Sequence, residues 1–322
     1  METLLSGLRA AGEQTRIRIL AVLERSELTV TELTRILGQS QPRVSRHLKL
    51  LCEAGLLDRS QEGAWAFYRL ADGGPGARIA RTLLELLPEN DSVMTTDKAR
   101  LEQIKSEHTE AAANYFSENA QQWEFIRGLY SEDTRVEQAM LAAVEHSSIN
   151  QLLDLGTGTG HILKLFSSRI HSALGIDSSH EMLKVARANL EGSQLHHCQV
   201  RYGDIYRLNI EAGTADLVTI HHVLHFLDEP ALAVNEAAQA LSPGGKLLVV
   251  DFAPHKLEIL RSDYAHRRLG FAFKEVQAWC EDAGLQKIEV HKFQAAGQAD
   301  GTPLSVHLWI AQRPHSSVGR AA

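Results

Sequence analysis

The chain has 322 residues, of which 44 % are hydrophobic and 23 % charged, with a formal net charge of −7, and this length predicts two domains. Its three cysteines, an odd number, disfavour a disulfide framework and favour a reducing compartment. Because no apolar run approaches the roughly 18 residues that cross a bilayer and no signal-peptide core is present, we exclude membrane insertion and expect a cytoplasmic protein.

The first predicted elements are three helices and a hairpin. Residues 13–23 and 28–37 carry apolar side chains at helical spacing, and a third helix spans residues 41–51. Residues 56–70 then alternate in hydrophobicity around a turn at Gly63, as a β-hairpin does. This order of elements indicates a winged helix-turn-helix.

The third helix has one apolar and one basic face. Ser40 is its candidate N-cap, and Pro42 lies in the first turn, where a missing N–H costs nothing. The apolar stripe comprises Val44, Leu48 and Leu51, and the basic, acid-free face comprises Arg43, Ser45, Arg46 and Lys49. An ordinary solvated surface is the alternative for such a face. Residues 1–90 carry 12 Lys and Arg against 11 Asp and Glu, so the net negative charge of the chain comes from residues 91–322. That negative charge argues against binding of nucleic acid by residues 91–322.

Residues 5–88 resemble the ArsR family of winged-helix transcriptional regulators, most closely over Ser40–Leu51 and Glu53–Leu57. The resemblance implies a homodimer, formed through the first helix and residues 77–87, that binds double-stranded operator DNA as a repressor with the third helix in the major groove. The DNA contacts that it implies are Gln41, Arg43, Ser45, Arg46, His47 and Lys49 on the helix and Arg59 and Gln61 on the wing.

Many members of that family bind metals through two cysteines that flank one residue before the turn. This chain has Thr29 and Thr31 at those positions, and neutral hydroxyls are poor ligands for soft metals. The resemblance therefore does not carry over the metal site, and no metal is predicted.

A polar cluster at residues 88–92 predicts a domain boundary. The predicted division is a winged-helix domain over 1–88, a linker over 89–110, a second domain over 111–313 and a disordered tail over 314–322. Residues 100–146 predict two or three helices. On them, Tyr115, Trp123 and Arg127 line a substrate pocket, unless the helix only packs its aromatic rings on the domain.

An apolar strand at residues 152–155 leads directly into three glycines at alternate positions, Gly156, Gly158 and Gly160. Glycine lets backbone amides approach a ligand closely, and the helix that follows makes the loop a candidate anion site. A second strand ends at Asp177, 21 residues after the first glycine, where α/β nucleotide-binding folds place an acid that holds ribose hydroxyls. The third glycine comes four rather than five positions after the first, which disfavours a dinucleotide site.

With the motifs that follow it, this loop resembles the class I S-adenosylmethionine-dependent methyltransferases over residues 110–313, and most closely their small-molecule branch. The further motifs are Asp177–Met182, Tyr202–Ile205, Ala215–His222 and Ser242–Asp251. The resemblance implies an α/β, doubly wound, Rossmann-like sheet of seven strands that closes with an antiparallel pair near 285–293 and 305–312. It implies S-adenosylmethionine as cofactor and a small-molecule methyl acceptor.

The cofactor-binding residues that the resemblance implies are Asp154, Gly156, Gly158, Gly160, Asp177, Ser178, Met182, Asp204, Ile205 and His221. By that likeness Asp177 binds the ribose hydroxyls, Asp204 binds the adenine amino group, and Met182 and Ile205 lie near the adenine ring. A tight turn without ligand is the alternative for the glycines, and helix capping is the alternative for the two acids.

His221, His222 and His225 follow the fourth strand of this sheet, at the edge where α/β sheets bind ligands. Methyl transfer is an in-line displacement that for a poor nucleophile also removes a proton, so His221 and His222 are the candidate catalytic residues. Pocket lining is the alternative, and a metal site on His221 and His225 is a third. His266 and Arg267 are further pocket candidates.

The fusion suggests DNA methylation, but Ile220–Val223 stands where amino-group DNA methyltransferases have a Pro-Pro-aromatic loop, and the Pro-Cys pair of the cytosine enzymes is missing. Two functions remain. In one, a DNA-binding regulator also methylates a small molecule. In the other, the regulator does not catalyse, and its second domain senses S-adenosylmethionine or S-adenosylhomocysteine to control operator binding. An enzyme whose winged helix only dimerises it is a weaker third.

Overall fold

The computed structural model of the chain describes residues 2–24, 26–62, 65–71, 73–88, 91–119, 133–294 and 304–315. The chain forms two compact units, Met1–Glu110 and Ala111–Ala322, each with its own β-sheet. Trp123 and Arg127 lie outside the described residues, as do the side chain of Tyr115 and residues 316–322 of the predicted tail. Within the described ranges, no helix combines the length and the hydrophobicity of a membrane span.

The first unit is a winged helix-turn-helix, as predicted. Its antiparallel sheet has the strand order β1-β3-β2, and β2 and β3 form the predicted hairpin. Its elements are α1 (Glu2–Ala11), α2 (Gln14–Val22), β1 (Leu28–Thr29), α3 (Val30–Leu37), α4 (Gln41–Glu53), β2 (Leu57–Glu62), β3 (Trp65–Leu70), α5 (Gly74–Glu85) and the first part of α6 (Ser92–Asn119).

Local signals set the ends of α3 and α4. The Thr29 hydroxyl accepts the N–H of Glu32, and the Glu32 carboxylate accepts the backbone N–H of Thr29 at 2.7 Å, which forms a capping box. Helix α3 ends at Gly38, whose φ of +63° lies in the left-handed region. Ser40 occupies the N-cap of α4 without a side-chain hydrogen bond, and Pro42 lies in the first turn.

The core of the first unit packs around α4, whose predicted apolar stripe is fully buried. The start of α6 joins this core through Ile104. In the same region, the guanidinium of Arg18 donates to the two carboxylate oxygens of Asp97 at 2.6 and 2.7 Å. Residues 92–110, where the sequence predicts a linker, are therefore helical and pack onto the winged helix.

The second unit contains a seven-stranded sheet of order β6-β5-β4-β7-β8-β10-β9, in which β10 runs antiparallel to the other six strands. This is the predicted doubly wound sheet with its closing antiparallel pair. Its elements are α7 (Asp133–Ala143), β4 (Ile149–Leu155), α8 (His161–Phe166), β5 (Ile170–Asp177), α9 (His180–Gly192), β6 (Cys198–Tyr202), β7 (Ala215–His221), α10 (Pro230–Ala240), β8 (Leu241–Phe252), α11 (Ile259–Ser262), α12 (Phe273–Asp282), β9 (Gln286–Gln294) and β10 (Ser305–Gln312).

Strands β4, β7 and β8 are almost continuously apolar and buried, as expected of parallel strands that have both faces covered by helices. From β4 the chain winds to β5 and β6 on one side of the sheet and then returns to β7 and β8 on the other. The topological switch point therefore lies at the carboxyl ends of β4 and β7, where such sheets bind their ligands.

Candidate functional site

The loop after β4 is a tight turn built on three glycines. Gly156, Gly158 and Gly160 have φ values of +72°, +52° and +81°, in the left-handed region that other residues rarely adopt. A Cβ added at Gly156 would lie 2.9 Å from Cγ1 of Val223 and closer still to Cγ2. The loop therefore needs glycine for its conformation and, at Gly156, also for space.

Asp177 connects this loop to the end of β5. Its Oδ2 accepts the N–H of Gly158 and its Oδ1 accepts the N–H of Ser179, both at 2.8 Å. Burial raises the pKa of Asp177, and these backbone hydrogen bonds oppose that rise. The N-cap of α9 is Ser179, whose hydroxyl accepts the N–H of Met182. Helix α9 is therefore capped by a side chain other than that of Asp177.

Asp154 lies near the end of β4 and is 1 % exposed. The hydroxyl of Thr219, on the neighbouring strand β7, donates to its Oδ1 at 2.6 Å. Burial raises the pKa of Asp154 to about 6, although hydrogen bonds from Thr219 and Thr157 act in the opposite direction. At neutral pH the glycine loop therefore starts beside a buried carboxylate.

The other predicted cofactor residues lie just beyond β5 and β6. Met182 is buried in the first turn of α9, and Ile205 is half-buried against the core. Ser178 is exposed just before α9. Asp204 is exposed and accepts the N–H of Tyr206 at 2.9 Å, so its carboxylate also stabilises the local turn.

Three buried histidines follow one another at the end of β7. His221 is the last residue of the strand, and His222 has a φ of +56°, in the left-handed region. His225 lies in a short 3-10 turn. The rings of His221 and His222 meet edge to face with centroids 4.7 Å apart, and the centroid of His225 lies 6.3 Å from that of His222.

The carboxylate of Asp251, on β8, lies against these histidines and was not predicted from the sequence. Nδ1 of His225 lies 2.7 Å from its Oδ1, and the backbone N–H groups of Phe252 and His225 donate to it at 2.8 and 3.3 Å. Burial raises the pKa of Asp251 to about 6 and lowers the pKa of His225 well below its ordinary value. His225 is therefore a neutral imidazole that a buried carboxylate orients.

Two further histidines lie around Phe252. His266 stacks on His225 with ring centroids 4.1 Å apart, and His255 meets the Phe252 ring edge to face at 5.9 Å. Burial lowers the pKa of both, and that of His255 falls to about 4. We call the five residues His221, His222, His225, His255 and His266 the histidine cluster.

Side chains from neighbouring segments pack beside the histidine cluster. Phe116, on α6, contacts Phe226 edge to face with centroids 4.7 Å apart, and Phe226 in turn contacts His225. Arg267, a predicted pocket residue, forms an ion pair with Asp228 at 2.6 Å. A helix before the first strand thus contributes an aromatic ring to this part of the second unit.

The candidate DNA-binding face lies on α4 and the wing of the first unit. Side chains predicted to contact DNA from α4 are exposed at Gln41, Arg43, Ser45, Arg46 and Lys49. On β2, the exposed guanidinium of Arg59 donates to the side-chain oxygen of Gln61 at 2.7 Å. The face is basic, although Glu13 of α2's N-cap approaches Arg43 to 4.0 Å.

Among the predicted DNA contacts on α4, His47 alone is buried rather than exposed. Its side chain is 8 % exposed, its Nδ1 lies 3.8 Å from the carboxylate of Glu13, and burial lowers its pKa. His47 comes three residues after Val44 and four before Leu51, so helical geometry places it on the buried stripe. Its side chain therefore packs inside the first unit, which argues against the predicted DNA contact.

Comparisons with known proteins match each unit separately. The sequence model of the family described as "Bacterial regulatory protein, arsR family" matches residues 13–59, and that described as "Methyltransferase domain" matches residues 153–249. The arsenic resistance transcriptional regulator ArsR1 of Pseudomonas putida is 35 % identical over 97 residues, which are 30 % of this chain and 75 % of that protein. The phosphatidylethanolamine N-methyltransferase of Cereibacter sphaeroides is 30 % identical over 168 residues, 52 % of this chain and 79 % of that protein.

Among solved structures, the YcgJ protein of Bacillus subtilis is similar with a TM-score of 0.50 and 19 % identity, over 56 % of this chain and 98 % of that one. At this identity the likeness shows the fold alone. The chain spans less than half the length of two other curated relatives. It covers 32 % of an uncharacterized 37.1 kDa protein of Streptomyces fradiae and 46 % of the uncharacterized methyltransferase YcgJ of Bacillus subtilis.

Proposed function

Because the chain belongs in its N-terminal part to the arsR family of bacterial regulatory proteins and in its C-terminal part to the methyltransferases, we propose that it is a transcriptional repressor that also methylates a small molecule. The methyl donor is S-adenosylmethionine, and the operator and the acceptor are its two partners. Since operator DNA lies in the cytoplasm of a bacterium, the proposal places the chain there.

The main observation in support of the proposal is the hydrogen bond between the glycine loop and Asp177. The three left-handed glycines leave backbone amides without side chains over them, and the N–H of Gly158 holds the Asp177 carboxylate at the carboxyl edge of the sheet. A carboxylate has about four acceptor positions and backbone N–H groups use only part of them, which leaves acceptor capacity for a ribose hydroxyl. Beside it, Met182 and Ile205 supply the apolar surface that an adenine ring needs.

The histidine cluster supports proton removal from the acceptor. S-adenosylmethionine supplies an electrophilic methyl group, and an acceptor hydroxyl, amine or acidic carbon loses a proton as it attacks. His221 and His222 lie at the end of β7, next to the glycine loop across the β4–β7 pair. Phe226 and Phe252 contact rings of the histidine cluster, and such apolar neighbours limit the access of water to a bound acceptor.

The first helix supports the predicted homodimer. Leu4, Leu5 and Leu8 on α1 are 45 %, 43 % and 42 % exposed and form an apolar patch, whereas Gly7 and Ala11 face the unit's own core. A second copy of the chain would cover this patch. A dimer reads an inverted repeat with half-sites about one helical turn, ~34 Å, apart, and footprints of a single unpaired half-site would contradict it.

The first test measures the binding of S-adenosylmethionine, S-adenosylhomocysteine and DNA to the full chain. Calorimetric titration with S-adenosylmethionine and S-adenosylhomocysteine should give binding of each, and absence of binding by a folded sample would contradict the cofactor assignment. Fluorescence anisotropy with the chain's own upstream DNA, at fixed salt and with each ligand saturating, then separates the two functions. A shift of fivefold or more, about 1 kcal/mol of coupling, supports the sensor alternative. Unchanged DNA affinity together with methyl transfer to an added acceptor supports the enzyme.

A further inference from the structure

We propose that His222, His225 and Asp251 bind one divalent transition-metal ion of the zinc class. One nitrogen of each imidazole and one oxygen of the carboxylate all lie within 4.8 Å of one another, and all three residues are buried. The proposal concerns metal binding by the second unit and stands whether or not that unit transfers methyl groups; with His222 bound to the metal, His221 is the candidate base of the proposed function.

The ligand set selects the class of metal. Two imidazoles and one carboxylate suit zinc and its first-row neighbours, whereas magnesium and calcium prefer sites made of oxygen alone. Three protein ligands leave at least one coordination position open for water or for an oxygen, nitrogen or sulfur atom of a small molecule. The site is thus of the open kind that activates a bound molecule.

The geometry around the three residues is fixed before a metal arrives. Backbone N–H groups of Phe252 and His225 hold the Asp251 carboxylate, which in turn holds Nδ1 of His225 at 2.7 Å. His222 keeps a left-handed backbone at φ +56°, a conformation that non-glycine residues adopt chiefly where the surroundings require it, often at functional sites. The neutral imidazole of His225 and the carboxylate of Asp251 would each offer a lone pair to the ion, and the single ring proton of His225 would stay on its other nitrogen.

The environment also accounts for why these polar groups are buried together. Burying the Asp251 carboxylate is costly even with its hydrogen bonds, and a divalent cation offsets that cost. Phe252 packs on His222 and His225 with ring centroids 4.7 and 5.1 Å away, and such an apolar shell strengthens metal–ligand bonds by excluding water.

Ring orientation decides which neighbours are not ligands. His266 stacks on His225 at 4.1 Å with an interplanar angle of 28°. The lone pair of an imidazole nitrogen lies in the plane of its ring, so two nearly parallel, stacked rings do not point at one ion. His266 is therefore excluded from the set, which provides a control variant in the same cluster.

The test uses the full chain, freed of metal with a chelator and then dialysed against Co²⁺ or Zn²⁺. We expect one metal per chain by elemental analysis, visible Co²⁺ absorption bands of a low-coordinate nitrogen–oxygen site, and a rise in melting temperature with added Zn²⁺. Asp251→Asn and His225→Gln should weaken Co²⁺ binding at least tenfold, as should His222→Asn, in which asparagine tolerates the left-handed backbone. His266→Phe, which keeps the stacking, should bind Co²⁺ like the parent chain.

Two outcomes would overturn the proposal. One is a folded parent chain that retains no Co²⁺ after dialysis. The other is stoichiometric binding that survives all three ligand variants, which would place the metal elsewhere. If circular dichroism shows that a variant is unfolded, the Co²⁺-to-chain ratio and the Co²⁺ absorption spectrum of the parent chain still test the proposal. Because none of these readouts uses S-adenosylmethionine, failure here is distinct from failure of the proposed methyl transfer.

Discussion

Replacing Asp154 by Asn should stabilise the second unit in a pH-dependent manner. The carboxylate is 1 % exposed, and the Thr219 hydroxyl donates to its Oδ1 at 2.6 Å. The amide oxygen of Asn keeps an acceptor for that hydroxyl while removing the buried charge. The expected gain is therefore the cost of burying the charge.

The magnitude follows from the pKa of Asp154, which burial raises to about 6. Aspartate in an unfolded chain has a pKa of about 3.9, and one pKa unit corresponds to about 1.4 kcal/mol. Because the folded pKa is the higher one, the stability cost is absent below the unfolded pKa, grows as the pH rises toward about 6, and is constant above. The linkage relation gives a cost of about 1 kcal/mol at pH 4.5 and about 3 kcal/mol at pH 7.5.

Hydrogen exchange in a urea series, read on peptides from β4 and β7, is the appropriate assay, because the chain has two units and one melting midpoint does not report on either alone. Thr219→Val is the matched control: it leaves the carboxylate buried without the hydrogen bond from Thr219 and should cost about 1–3 kcal/mol at pH 7.5. An Asp154→Asn gain that is equal at pH 4.5 and 7.5, or a loss at pH 7.5, would refute the reasoning.

Three further predictions concern the two sites. Arg46→Ala should weaken operator binding in fluorescence anisotropy at least tenfold and leave S-adenosylmethionine affinity unchanged; equal loss of both would indicate misfolding instead. Asp177→Ala should weaken S-adenosylmethionine binding in calorimetric titration and leave operator binding unchanged, and an unchanged cofactor affinity would contradict the assignment of Asp177 to the ribose. Gly156→Ala should cost about 2–4 kcal/mol, because it combines a left-handed φ with a clash against Val223; hydrogen exchange of β4 peptides in the same urea series that matches the parent would show that the loop relaxes freely.

Local sequence signals predicted most of the fold. Glycines at 156, 158 and 160, continuous apolar strands and the four-then-three stripe on α4 each follow from backbone geometry and burial, which act over a few residues. The helix that begins at Ser92 packs onto the first unit through Asp97, whose partner Arg18 is 79 residues away. No local pattern reports such a pairing.

The candidate site was predicted less completely for the same reason. Asp251 is a single acid near the end of an apolar strand, and only the register of β7 beside β8 brings it to His225, 26 residues away. His47 was placed on the DNA face by its neighbours' chemistry, although its spacing from Val44 already marked it as buried. The cofactor and DNA roles of the other residues remain predictions.

The position of β10 between β8 and β9 makes completion of the sheet depend on the order of synthesis. Strand β9 emerges from the ribosome before the strand that separates it from β8, so in the nascent chain β9 has no partner and the edge of β8 stays open until Ser305–Gln312 follows. The winged helix is made of residues that emerge far earlier, so it can fold while this edge is still exposed. A nascent or truncated chain that stops before β10 would therefore combine a folded DNA reader with an aggregation-prone sheet.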